Sequence, residues 1–187
     1  VEEKDLSVQS SNNPYGFEKT EFPNFSSLPR NRYGYLELTD CIIEVINTEY
    51  PVHYELLCQQ LAPLFGNEKA TVKIRREADI GLSRLGTKIV RKGDFIFPNG
   101  YKTIPIRMPN NRRIQHICTE ELSEAMFRIL QTCVGTTRDA LCLETTRVYG
   151  FNRAGQNISS AMSNAIDALI STGRVEEIEG KLKIKGE

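Results

Sequence analysis

Leu57-Cys58-Gln59-Gln60-Leu61-Ala62-Pro63-Leu64-Phe65-Gly66-Asn67-Glu68-Lys69-Ala70-Thr71-Val72-Lys73-Ile74 lies within the first half of the chain. Shifted along the chain by 84 residues, it falls on the chain again without a gap. Leu141-Cys142 meets Leu57-Cys58, Tyr149-Gly150 meets Phe65-Gly66, Arg153-Ala154 meets Lys69-Ala70, and Ile158 meets Ile74. The same register runs from about Asp40 to Leu85, setting Thr132 on Thr48 and Leu169 on Leu85. Identities are few, but apolar positions meet apolar positions throughout. Self-similarity at one fixed spacing is the mark of a duplicated structural unit.

Each copy has the same punctuation. A first helix is expected over Thr39–Asn47 and again over Thr119–Thr132, the latter opening on Thr119 as N-cap. A second is expected over His53–Leu64 and Thr137–Val148, with Tyr50-Pro51 as the turn before it in the first copy. Phe65-Gly66 and Tyr149-Gly150 stop these helices, since glycine tolerates the left-handed conformation a helix end requires. A third is expected over Thr71–Leu85 and Gly155–Thr172, with Gly81 marking close helix packing. Two short β-patterned segments follow each third helix: Lys88–Arg91 with Phe95–Phe97, and Arg174–Glu177 with Lys181–Ile184. Lys92-Gly93-Asp94 and Glu179-Gly180 join them as hairpin turns. Three helices and a hairpin, twice, predict an α+β, mainly α chain of two tandem winged-helix domains. The expected division is an extended arm over 1–35, a first domain over 36–105, a basic linker over 106–117 and a second domain over 118–187. Phe22, Phe25 and Tyr33 are the residues expected to pin the arm.

The net charge of zero conceals a strong asymmetry. Residues 69–113 hold 12 Lys and Arg against 3 Asp and Glu, half of all the basic side chains in the chain. A local excess of that kind points to a polyanionic partner. At about 100° per residue, Ile74, Ala78, Leu82 and Leu85 share the core face of the third helix. Lys73, Arg76 and Arg84 lie nearly opposite, with Lys69 just ahead of the helix and Ile80 among them. Lys88, Arg91 and Lys92 stand on the following hairpin, and Arg107, Arg112 and Arg113 in the segment after it. Long cations on one solvated face are what phosphate contact requires, because each displaces condensed counterions. The second copy offers Arg153, Asn157, Ser160 and Asn164 instead, and its hairpin carries Glu176, Glu177 and Glu179, which repel phosphate.

Other function classes find no residues to carry them. No phosphate-binding loop, nucleophile elbow or metal motif occurs, and the acidic residues show no paired spacing, so neither catalysis, a cofactor nor a small-molecule substrate is expected. His53 and His116 lie far apart in sequence, so no metal site is expected. The five cysteines form no C-x-x-C pair and several sit at apolar helical positions, as in a reduced cytoplasmic protein. The apolar runs are too short for a membrane span, and the charged start, Val1-Glu2-Glu3-Lys4, is unlike a signal peptide.

Three stretches carry a family resemblance. They are Glu49-Tyr50-Pro51-Val52-His53, Arg91-Lys92-Gly93-Asp94-Phe95-Ile96-Phe97, and Arg153-Ala154-Gly155-Gln156-Asn157-Ile158 continuing to Ala165-Ile166-Asp167-Ala168-Leu169-Ile170 and Gly173-Arg174. In order and spacing, over roughly residues 38–184, the chain resembles domain-of-unknown-function family 3320. This is a C-terminal domain of very large bacterial proteins that carry a superfamily I DNA helicase and often a nuclease-like domain of the very-short-patch-repair type. The resemblance implies the tail of an ATP-driven helicase, with DNA and the parent's motor and nuclease domains as partners. It supplies no catalytic residue. The expected function is accessory DNA binding of low sequence specificity. A protein-docking module and a transcription regulator are the alternatives.

Overall fold

The computed structural model describes residues 14–108, 112–151 and 155–186. The chain is α+β, mainly helical, with small antiparallel sheets. Two hydrophobic cores account for its packing.

The first core is built by α1 (Leu38–Glu49), α2 (Tyr54–Leu61) and α3 (Val72–Leu85). Helix α1 buries Cys41, Ile42, Val45 and Ile46, the repeating pairs one turn apart that form an apolar stripe. Helix α2 runs into a short 3-10 turn, Ala62–Phe65, and stops at Gly66 with φ of 69°. Thr71 caps α3, its Oγ1 accepting from the Ile74 amide at 3.4 Å. Gly81 of α3 faces α1 so closely that an added Cβ would run into Ile42 Cδ1. Strands β2 (Ile89–Lys92) and β3 (Phe95–Pro98) form the hairpin, turning at Gly93. A third strand, β1 (Val52–His53), had no signal of its own in the sequence; two residues are too few to show an alternation. It pairs antiparallel with β3, setting Val52 on Ile96 and His53 on Phe95, so the sheet order is β1-β3-β2.

The second core repeats this order with α4 (Thr119–Leu130), α5 (Arg138–Val148), α6 (Gln156–Ser171), β4 (Val175–Ile178) and β5 (Lys181–Ile184). The bridge between Thr136 and Leu182 stands where β1 stands in the first copy. Helices α5 and α6 keep the expected register. The first helix does not: α4 begins and ends 81 residues after α1, because the turn into α5 is three residues longer. The hydrophobic stripe hides this, since a shift of nearly one turn puts apolar residues back on apolar positions. The N-cap of α4 is Cys118 rather than Thr119, its Sγ accepting from the Glu121 amide at 3.4 Å.

The described parts of the arm and the linker are more buried than expected; residues 1–13 and 109–111 lie outside the described residues. Tyr15 and Phe17 alternate with polar neighbours and so present both rings to one side. Phe17 is buried against Tyr149 in the second core, and the Tyr15 hydroxyl donates to Glu144 at 2.8 Å. Burying a phenylalanine side chain contributes roughly 1.5–3 kcal/mol. Phe25, Leu28 and Leu36 pack on the first core, while Phe22 and Tyr33, expected to pin the arm, are exposed. Glu18 bridges to Arg107 in parallel, through amide–carbonyl bonds to Ile106 and from Met108. Ile106 and Ile117, at the two ends of the expected linker, belong to the second core.

Candidate nucleic-acid interface

Helix α3 turns its apolar face into the first core, which leaves Lys73, Arg76 and Arg84 exposed on the other side. Lys69 is exposed just before its N-terminus, and Lys88 just beyond its C-terminus. Among the described residues, none of these five cations has an ion-pair partner. The placement of Lys69 and Lys73 costs the helix something. The N-terminal end of a helix dipole is positive, so nearby cations destabilise it by about 0.3–1 kcal/mol each. Lys69 and Lys73 stand at that end with no acidic side chain in the first turn. A bound anion would remove this cost and would itself be favoured by the free amides there.

The hairpin sits beside α3 through Tyr54. Its hydroxyl donates to the Arg75 carbonyl at 3.0 Å, and the Arg91 guanidinium lies 5.0 Å from its ring centre. Arg91 also donates from Nε to the Gly93 carbonyl, which fixes its course at the hairpin tip. Arg75 is exposed and belongs to the same basic surface, a residue the face count left out. Lys92 is partly committed elsewhere: its ammonium donates to the Tyr101 hydroxyl at 2.7 Å and pairs with Glu120 at 3.4 Å.

Of the three linker arginines expected on this surface, Arg107 and Arg112 are buried and only Arg113 is exposed. Arg112 is buried, its Nη atoms gripping both oxygens of Glu121 at 2.6 and 2.9 Å and its Nη2 donating to the Arg107 carbonyl at 3.0 Å. A guanidinium so held cannot meet a phosphate. It joins a polar junction between the cores, where Arg107 reaches the Pro51 carbonyl at 3.0 Å and Glu49 at 3.9 Å. Burial pushes the Glu49 carboxyl up, against the opposing pull of Arg107. Among the described residues, the Nε atoms of Arg107 and Arg112 and the Tyr149 hydroxyl are buried there without a hydrogen-bond partner.

The matching face of α6 presents Asn157, Ser160 and Asn164, all exposed and uncharged. Arg153 lies outside the described residues. Two arginines of this half are occupied, while Lys181, Lys183 and Lys185 on and beside its hairpin stay exposed. Arg138 holds Asp167 at 2.8 Å and Glu177 at 3.0 Å, and Arg174 holds Glu124 at 2.7 Å while lying over the Phe127 ring.

Outside the basic surface, the fold joins residues that the sequence separates widely. His116, in the 3-10 turn Ile114–His116, meets Glu55 at 3.0 Å, and its ring centre lies 5.0 Å from that of His53. His53 Nδ1 accepts from the Glu55 amide at 3.2 Å and so caps α2. Burial, with His116 nearby, holds the His53 imidazole below its ordinary range, and the hydrogen bond from His116 lowers the Glu55 carboxyl. The five cysteines are free; Cys41, Cys58 and Cys118 are buried, and Cys133 is exposed. Among the described residues no helix is long and apolar enough to cross a membrane. Comparison of the chain with protein-family models, curated proteins and solved structures finds no match.

Proposed function

We propose that the chain is a tandem pair of winged helices and that the first of the pair grips nucleic-acid phosphates. Helix α3 is the recognition helix of this reading and β2–β3 its wing. The observation that carries it is the exposed row Lys69, Lys73, Arg76 and Arg84, without acidic partners among the described residues, with Lys69 and Lys73 at the helix end where the dipole disfavours cations. Arg75, Lys88, Arg91 and Arg113 extend the surface. The contacts are cationic and phosphate-directed, so sequence preference is low. The stretches quoted above that resemble family 3320 support a place at the tail of a large superfamily I helicase. In that setting the second winged helix braces the first and docks on the motor or nuclease-like domain.

Protein docking as the main role is the second reading. A groove of about 490 Å³ between α5 and α6, lined by Cys142, Leu143 and Ile158, favours it, as does the 71% exposure of Leu143. Fluorescence anisotropy with labelled duplex, forked and single-stranded DNA separates the two. DNA binding lost in Lys73→Glu/Arg76→Glu and kept in Leu143→Glu supports the grip. Equal binding by the wild type and both variants, or none by any folded form at low salt, favours docking.

A further inference from the structure

We propose that His53, Glu55 and His116 form a binding site for a divalent transition-metal ion of the zinc class, joining the two halves of the chain. Their ligand atoms lie within 4.8 Å of one another. Two imidazole nitrogens and one carboxylate oxygen make a donor set that suits zinc with one position left open, whereas calcium and magnesium take oxygen ligands. Metal–nitrogen distances of ~2.0–2.1 Å in a tetrahedral site place ligand atoms ~3.3 Å apart. Glu55 Oε2 and His116 Nε2 are already at 3.0 Å. The widest separation has to close by ~1.5 Å, which small side-chain rotations supply.

The scaffold holds each ligand differently. His53 is fixed at the end of β1 by its pairing with Phe95, whose ring it meets edge-on at 5.2 Å. Glu55 lies in the first turn of α2, with its side chain 32% exposed, so an ion can arrive from solvent. His116 is buried in the turn that leads into α4. Two ligands thus come from the first core's elements and one from the approach to the second. Coordination either displaces the Glu55 amide from His53 Nδ1 or uses Nε2 of the opposite tautomer. In both cases the cap of α2 changes, giving a signal local to the site.

The test uses the full chain, freed of metal with a chelator, and titrated with Zn2+ by calorimetry and with Co2+ by visible absorption. Expected are one equivalent bound, cobalt bands without thiolate charge transfer, and a melting temperature that rises with zinc concentration, as for any ligand of the folded state. His53→Gln and His116→Gln should each weaken binding at least ~10-fold, and Cys133→Ser should leave it unchanged. Glu55→Gln keeps size and a hydrogen-bonding end, and serves if a histidine variant fails to fold. No binding by the wild type, binding unchanged across folded site variants, or binding lost with Cys133 would overturn the site. None of these results depends on whether the chain binds DNA.

Discussion

The two halves of the chain share one order of elements and differ in how the cations on and beside their helices are partnered. In the first, Lys69, Lys73, Arg76 and Arg84 face solvent without partners. In the second, Arg138 and Arg174 are tied to Asp167, Glu177 and Glu124. Exposed ion pairs contribute little stability, so the second half gains little by spending its arginines this way. What the pairing removes is two cations from the surface open to an anion. Two halves with one order of elements can therefore differ in the charge that their helices leave unpaired. The junction between them follows a third pattern, with buried arginines held by buried carboxylates.

The largest expected effect falls on that junction. Glu121→Gln or Arg112→Met leaves a buried charge without its counterpart and should cost about 3–5 kcal/mol, measured by chemical denaturation. Arg112→Met with Glu121→Leu should recover most of it. A loss no smaller in the double variant would mean that the pair is not an isolated unit. Next is the contrast in DNA binding. Lys73→Glu/Arg76→Glu should weaken it roughly 100-fold, and Lys181→Glu/Lys183→Glu on the second hairpin no more than about 3-fold. Equal losses would erase the proposed distinction between the halves.

Smaller effects sharpen the packing account. Gly81→Leu forces α3 away from Ile42 and Leu38 and should destabilise by about 1–3 kcal/mol, seen as a lower melting temperature. Thiol labelling gives the mildest test. Helix N-termini usually lower a thiol pKa, yet burial pushes Cys118 at the start of α4 up to about 12. Labelling at pH 8 should therefore modify exposed Cys133 well before Cys118, Cys41 or Cys58. Early labelling of Cys118 would show that the junction opens readily.

The sequence revealed the elements better than their contacts. Helix and hairpin positions were legible because Ile74, Ala78, Leu82 and Leu85 recur with helical period and Gly66, Gly93 and Gly150 mark stops and turns. The longer turn after α4 was not, since the apolar stripe repeats almost every turn. Arg112 read as a free cation because a charge looks the same in sequence whether buried or exposed; only Glu121, folded against it, decides. His53 and His116 were read as unrelated because no periodicity links residues that meet only when two cores pack. Phe17 escaped notice among more conspicuous aromatics, and its partner Tyr149 is likewise distant in sequence.

The central claim is that the first half holds phosphates with its unpaired cations, and the salt dependence of DNA binding tests it most directly. With five to seven phosphates neutralised, log Kobs against log salt should fall with a slope of roughly −4 to −6 on duplex DNA. Arg84→Ala or Lys73→Ala should each make it shallower by about 1. A slope near zero, or one that neither substitution moves, would contradict the account.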